Sequence, residues 1–233
     1  MAETYLINCR TAILPKWYPC CALLQTLNVS HWKHLQSLVI KQCTTIEFLS
    51  RIRAPSLQRL SIIQGFPFSF EPLVSFIDRS NCKLKALGIA THTPFGVEGL
   101  QSLLSKSESI TRLYIGNSKA SDYQAMMRKI PRMLDPDLSV DDGKEGVLLP
   151  NLQVLYYTTI DPVRSEDMIS MIKHRWGGNH QISEGDVQSR VAKLRIVRFK
   201  KSNLKLLFDP LKEEMKQGLE VTYDLPYKGE PFE

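Results

Sequence analysis

The chain has 233 residues, 43% of them hydrophobic and 23% charged, which suits one large domain or one short repeat array and leaves enough apolar surface for a core without staples. A formal net charge of +6 makes it mildly basic, open to acidic partners without demanding them. No run of eighteen apolar residues predicts a transmembrane helix, and residues 1–10 lack the basic and then apolar regions of a secretory signal.

In chain order, residues 1–23 read as an N-terminal cap or remnant segment. A six-residue pattern, apolar-x-x-apolar-x-apolar, then recurs. It starts as Leu24-x-x-Leu27-x-Val29, only eleven residues before Leu35-x-x-Leu38-x-Ile40, too close for a full repeat. Leu57-x-x-Leu60-x-Ile62 and Leu84-x-x-Leu87-x-Ile89 follow. Ile110-x-x-Leu113-x-Ile115, Leu152-x-x-Leu155-x-Tyr157 and Val191-x-x-Leu194-x-Ile196 complete the series. From Leu35 the steps are 22, 27, 26, 42 and 39 residues.

Helical segments are expected between these strands. Glu71-Pro72 opens one, with Leu73, Phe76 and Ile77 spaced three and four apart. Ser121 caps a second over residues 122–130. Ser165 caps a third, with Glu166 and Asp167 in its first turn, apolar Met168, Met171 and Ile172, and an end near Trp176 before Gly177-Gly178. Asp209-Pro210 opens a fourth that Gly218 closes, and Leu219-x-Val221-x-Tyr223 is a last strand. Residues 135–146 are polar and read as an exposed inserted loop, and residues 226–233 as a frayed tail.

Strand, loop and helix in alternation predict an α/β fold. The reading is a leucine-rich-repeat solenoid over residues 24–225, a curved parallel sheet with helices on its convex side and irregular repeat lengths. In each hexapeptide the first, fourth and sixth residues point into the core, and the third and fifth point to the outer, concave face. The outer ladder is then Ser37 and Val39, Arg59 and Ser61, Ala86 and Gly88, Arg112 and Tyr114, Val154 and Tyr156, Lys193 and Arg195. Its arginines and tyrosines are the types enriched at binding hot spots. Arg59, Arg112, Tyr114, Tyr156, Lys193 and Arg195 are therefore the candidate partner-binding residues, a basic-aromatic track for an acidic protein segment.

Catalytic and metal chemistry find little support. Cys20, Cys21, His31 and His34 lie near one another, but adjacent cysteines suit one tetrahedral zinc badly and no C-x-x-C half is present. His31 and His34 read as partly exposed around a packed Trp32. Asp135-x-Asp137-x-Ser139 begins like a calcium loop, yet Val140 and Gly146 stand where it needs Gly and Glu, so a solvated acidic loop is expected. No nucleophile elbow or phosphate loop occurs, and His174 and His180 read as surface residues. The five cysteines, Cys9, Cys20, Cys21, Cys43 and Cys82, read as reduced thiols. The expectation is a non-enzyme without catalytic residues, metal or cofactor, in the cytoplasm or nucleus. The alternative is a basic nucleic-acid-associated protein using residues 190–205, which hold seven basic residues and no acidic one.

Ala54-Pro55-Ser56-Leu57, Arg79-Ser80-Asn81-Cys82 and Leu148-Leu149-Pro150-Asn151-Leu152 stand directly before repeat strands. With Met171-Ile172-Lys173-His174-Arg175-Trp176 they resemble the C-terminal repeat region of fungal F-box/leucine-rich-repeat proteins. That resemblance implies the substrate-binding repeats of an SCF-type ubiquitin-ligase receptor, whose F-box docks onto the Skp1 adaptor of a cullin ligase. Residues 1–34 show no Leu-Pro-rich opening followed by an amphipathic helix, and Ile13-Leu14-Pro15 with Trp17 matches at most the region after an F-box. The expected partner is a protein, with Skp1 and cullin implied by the family alone.

Overall fold

The computed structural model describes residues 11–14, 32–41, 46–64, 69–91, 96–117, 123–138, 147–157, 165–177, 191–199 and 205–223. Strands form where the hexapeptides place β-branched and leucine residues at alternate positions. They are β1 (Thr11–Leu14), β2 (Ser37–Lys41), β3 (Arg59–Gln64), β4 (Ala86–Thr91), β5 (Arg112–Asn117), β6 (Val154–Tyr157), β7 (Ile196–Phe199) and β8 (Glu220–Tyr223). The sheet is open and eight-stranded, its order is the chain order, and every neighbouring pair is parallel. Thr11–Leu14 pairs with β2, so the sheet begins inside the segment read as a cap. The Leu24–Val29 hexapeptide lies outside the described residues.

One register runs through the stack. Leu38, Leu60, Leu87, Leu113, Leu155, Val197 and Val221 are aligned across successive strands, and so are Ile40, Ile62, Ile89, Ile115, Tyr157, Phe199 and Tyr223. The residue just before each strand supports this alignment with its carbonyl. Gln36 O accepts the amides of Gln58 and Arg59 (2.9 and 2.9 Å), and Gln58 O those of Lys85 and Ala86 (2.8 and 3.0 Å). The same doubled bond recurs from Lys85, Thr111 and Gln153.

That register corrects the seventh strand. Gln153 O accepts from Arg195 and Ile196, and Tyr156 pairs with Arg198, so the hexapeptide is Leu194-x-x-Val197-x-Phe199 and not Val191-x-x-Leu194-x-Ile196. Both phases offer three apolar residues at the right spacing, and pairing with β6 selects the one that buries Phe199 completely. The step from Leu152 becomes 42 residues, equal to the step before it.

The helices are α1 (Glu71–Ser80), α2 (Val97–Ser105), α3 (Tyr123–Leu134), α4 (Ser165–Gly177), α5 (Lys205–Phe208) and α6 (Lys212–Lys216), with a 3₁₀ turn at Glu47–Arg51. Glu71 and Pro72 open α1 as expected, and Asn81, at φ 47°, closes it in the left-handed region that asparagine tolerates. The α2 helix was not anticipated, although Leu100, Leu103 and Leu104 carry its spacing. The α3 helix runs past the expected end at Ile130, through Pro131 to Leu134. The helix expected to open at Asp209 is only α6, starting at Lys212, and the unanticipated α5 ends at Phe208, because Pro210 cannot donate a helical hydrogen bond and disfavours helical backbone at Asp209.

Strand residues Leu60, Leu87, Leu113, Leu155, Val197 and Phe199 share one buried cluster with Leu73, Phe76, Leu103, Ile130, Met171 and Ile172 of the helices. Helices α1 to α5 touch in chain order, so they form one layer against one face of the sheet. No helix among the described residues is long and apolar enough to cross a membrane. The register predicts that Phe199→Ala costs about 3–5 kcal/mol in urea unfolding, whereas Ile196→Ala, at a half-buried outward position, costs clearly less. Equal losses would contradict it.

Candidate functional site

The face of the sheet opposite the helices is set by alternation along each strand. Arg59 and Arg112 stand exposed on it, as expected. Much of the rest is covered: Val39, Ser61, Ala86, Gly88 and Tyr114 are buried although they point away from the core cluster. The Tyr114 side chain has nothing larger than glycine beside it in two directions. It pairs in register with Gly88, and its ring lies so close over Gly116 that a Cβ there would meet the phenol oxygen at 2.7 Å. The neighbouring Tyr156 ring is 6.2 Å away and tilted by 41°, a favourable aromatic geometry.

Two of the expected track residues lie elsewhere. Lys193 precedes the true hexapeptide and sets its Nζ 3.6 Å from the centroid of Trp176, at the end of α4. Arg195 occupies the second hexapeptide position, in line with Gln153. The corrected register puts Ile196 and Arg198 on the outer face in their place. Arg198 lies 5.4 Å from the Tyr156 ring centroid and 3.5 Å from Glu220 of β8. Its Nε is buried and has no hydrogen-bond partner. Tyr114, Tyr156 and Arg198 thus form a continuous stack across β5, β6 and β7, flanked by Arg112 and Glu220. Arg198 was missed because the phase of the seventh hexapeptide is ambiguous in the sequence.

A second polar assembly lies at the far end of α3. Arg175 of α4 is completely buried. Its guanidinium donates to the carbonyls of Leu134 (2.7 Å), Leu149 (3.1 Å) and Leu148 (2.6 Å). These carbonyls belong to the C-terminus of α3 and the turn before β6, so one side chain joins both ends of the segment between them. Burial pulls the Arg175 pKa down to about 10, opposed by the nearby Asp135 carboxylate, which leaves the group charged at neutral pH.

Asp135 corrects another expectation. It is 1% exposed, not part of a solvated loop, although Asp137 and Leu138 are exposed. Its Oδ1 accepts the amide of Asp137 (3.0 Å) and lies 2.8 Å from Nδ1 of His174, while Oδ2 is buried without a partner. The Nε2 of His174 lies 3.2 Å from Oδ2 of Asp137. His174 is therefore not a plain surface histidine but a bridge between two carboxylates. Asp135, Asp137 and His174 each offer a donor atom within 4.8 Å of the others, the arrangement among the described residues that could hold a metal ion.

Of the other sequence candidates, Trp32 is buried and His34 exposed, as expected, while Cys20, Cys21, His31, His180 and residues 139–146 lie outside the described residues. Cys82 is a free thiol packed against the core, and burial pushes it up to about 11, so it is protonated and a poor nucleophile at neutral pH. Comparison with models of known protein families and with curated proteins finds no match.

Replacing Arg175 by Met is expected to destabilise the chain by about 3–5 kcal/mol, because it strands three carbonyls and a buried carboxylate. Chemical denaturation measures this, and a loss below 1 kcal/mol would contradict the role given to the side chain.

Proposed function

We propose that the chain is a leucine-rich-repeat solenoid that acts as a protein-interaction module, holding an acidic segment of its partner on the outer face of β5 to β8. The observation that carries this reading is the Tyr114–Tyr156–Arg198 stack on the outer face. Tyrosine and arginine are the residue types that dominate binding hot spots. The Arg198 side chain is 27% exposed, and a guanidinium takes a carboxylate through charge-assisted bonds. Arg59 and Arg112 extend the positive side of the face, and Glu220 marks its edge.

The sequential parallel sheet, the shared register and the single helical layer support the solenoid reading. The motifs before the repeat strands resemble those of fungal F-box/leucine-rich-repeat proteins. Within that family the repeats hold the substrate and the F-box engages Skp1, so the role proposed for this chain is substrate holding, without catalysis. The alternative, nucleic-acid binding by residues 190–205, is weakened by their layout. Lys193 lies over Trp176 of α4 and Arg198 lies on the outer face, so these two described basic residues do not share one stripe.

Affinity capture of partners from the source cells tests the proposal. A Tyr156→Ala/Arg198→Ala double variant is expected to lower partner recovery by about tenfold or more, while Lys193→Ala leaves it unchanged. Undiminished recovery by the double variant would overturn the assignment. A bound fraction that proves to be nucleic acid, released steeply by salt, would favour the alternative.

A further inference from the structure

We propose that Asp135, Asp137 and His174 form a binding site for one divalent transition-metal ion of the zinc class. Three donor side chains converge where the end of α3 meets α4, their ligand atoms within 4.8 Å of one another. Both ring nitrogens of His174 face carboxylate oxygens, Nδ1 toward Asp135 at 2.8 Å and Nε2 toward Asp137 at 3.2 Å.

A second and independent observation points the same way. Asp135 is 1% exposed, and its Oδ2 has no donor. The nearest fixed cation, Arg175, turns its Nε, Nη1 and Nη2 to main-chain carbonyls.

The donor set decides the class of cation. One imidazole nitrogen with two carboxylate oxygens suits zinc and its borderline neighbours. Calcium takes 6–8 oxygen ligands, more than this group offers. The donor atoms lie within 4.8 Å of one another, and ligands of one tetrahedral zinc at bonds of about 2.0–2.2 Å stand roughly 3.4 Å apart. Closing that gap asks for a modest movement of His174 and Asp137. Their side chains are 34% and 40% exposed, which also gives the ion a path from solvent. Bound there, the ion would tie the C-terminal end of α3 to α4 beside Arg175.

The test is calorimetric titration of Zn²⁺ into the full chain, stripped with EDTA, at pH 7.5. The expected result is one saturating equivalent and a rise in the thermal midpoint that EDTA reverses. Asp137→Asn and His174→Gln should each weaken Zn²⁺ binding by at least about tenfold, whereas His34→Gln should not. Nitrogen-15 spectra of the His174 ring in the wild-type chain give a readout that needs no variant. With Zn²⁺ present one ring nitrogen should lose its proton signature and take that of a metal-bound nitrogen. Absence of saturable binding, binding lost only with His34→Gln, or a His174 ring that keeps both N–H groups in excess Zn²⁺ would overturn the assignment.

Discussion

The structure depends on a main-chain constraint: the carbonyl just before each of β2 to β6 accepts two consecutive amides at the start of the next strand. Gln36, Gln58, Lys85, Thr111 and Gln153 all make this doubled bond, and Arg195 O accepts the amide of Glu220 at the last step. Each bond is worth only about 1 kcal/mol net, but a slip of one residue would turn every leucine of a strand toward the outer face. Backbone pairing and side-chain burial therefore select the same register, and that register decides which side chains a partner can meet.

The hexapeptides show how much of this was legible. A period of two with leucine at the fourth place gives strand positions and facing for β2 to β6, and the aligned residues are buried as expected. The pattern fails at β7, where residues 191–199 hold apolar residues in two overlapping phases. Only pairing with β6 separates them, and pairing is a long-range property. The same ambiguity moved Lys193 and Arg195 onto the candidate track and left Arg198 off it. Tyr114 was legible as outward but not as buried, because its cover comes from packing along and beside its own strand over Gly116.

The polar assembly around Arg175 was less legible still. Asp135-x-Asp137 reads in sequence only as the start of a calcium loop, and His174, 39 residues from Asp135, joins them through no motif. Composition correctly marks the stretch after Asp135 as polar, but polarity alone favours solvent. What reverses that for Asp135 is a buried guanidinium at the end of α3, where helical carbonyls lack partners of their own. A charge buried for structural reasons has drawn a carboxylate inward, and the carboxylate holds the histidine.

The most direct measurement of the register, and hence of the proposed binding face, is cross-strand disulfide formation. In the paired strands Tyr156 sits beside Arg198, within the Cα separation that a disulfide spans, and on the same face. The variant carrying Tyr156→Cys with Arg198→Cys is therefore predicted to form that bond under mild oxidation, identified by mass spectrometry of the linked peptides. The variant carrying Tyr156→Cys with Arg195→Cys should remain open. Linkage of the second pair and not the first would mean that β7 lies three residues out of place and that Arg198 does not belong to the outer face.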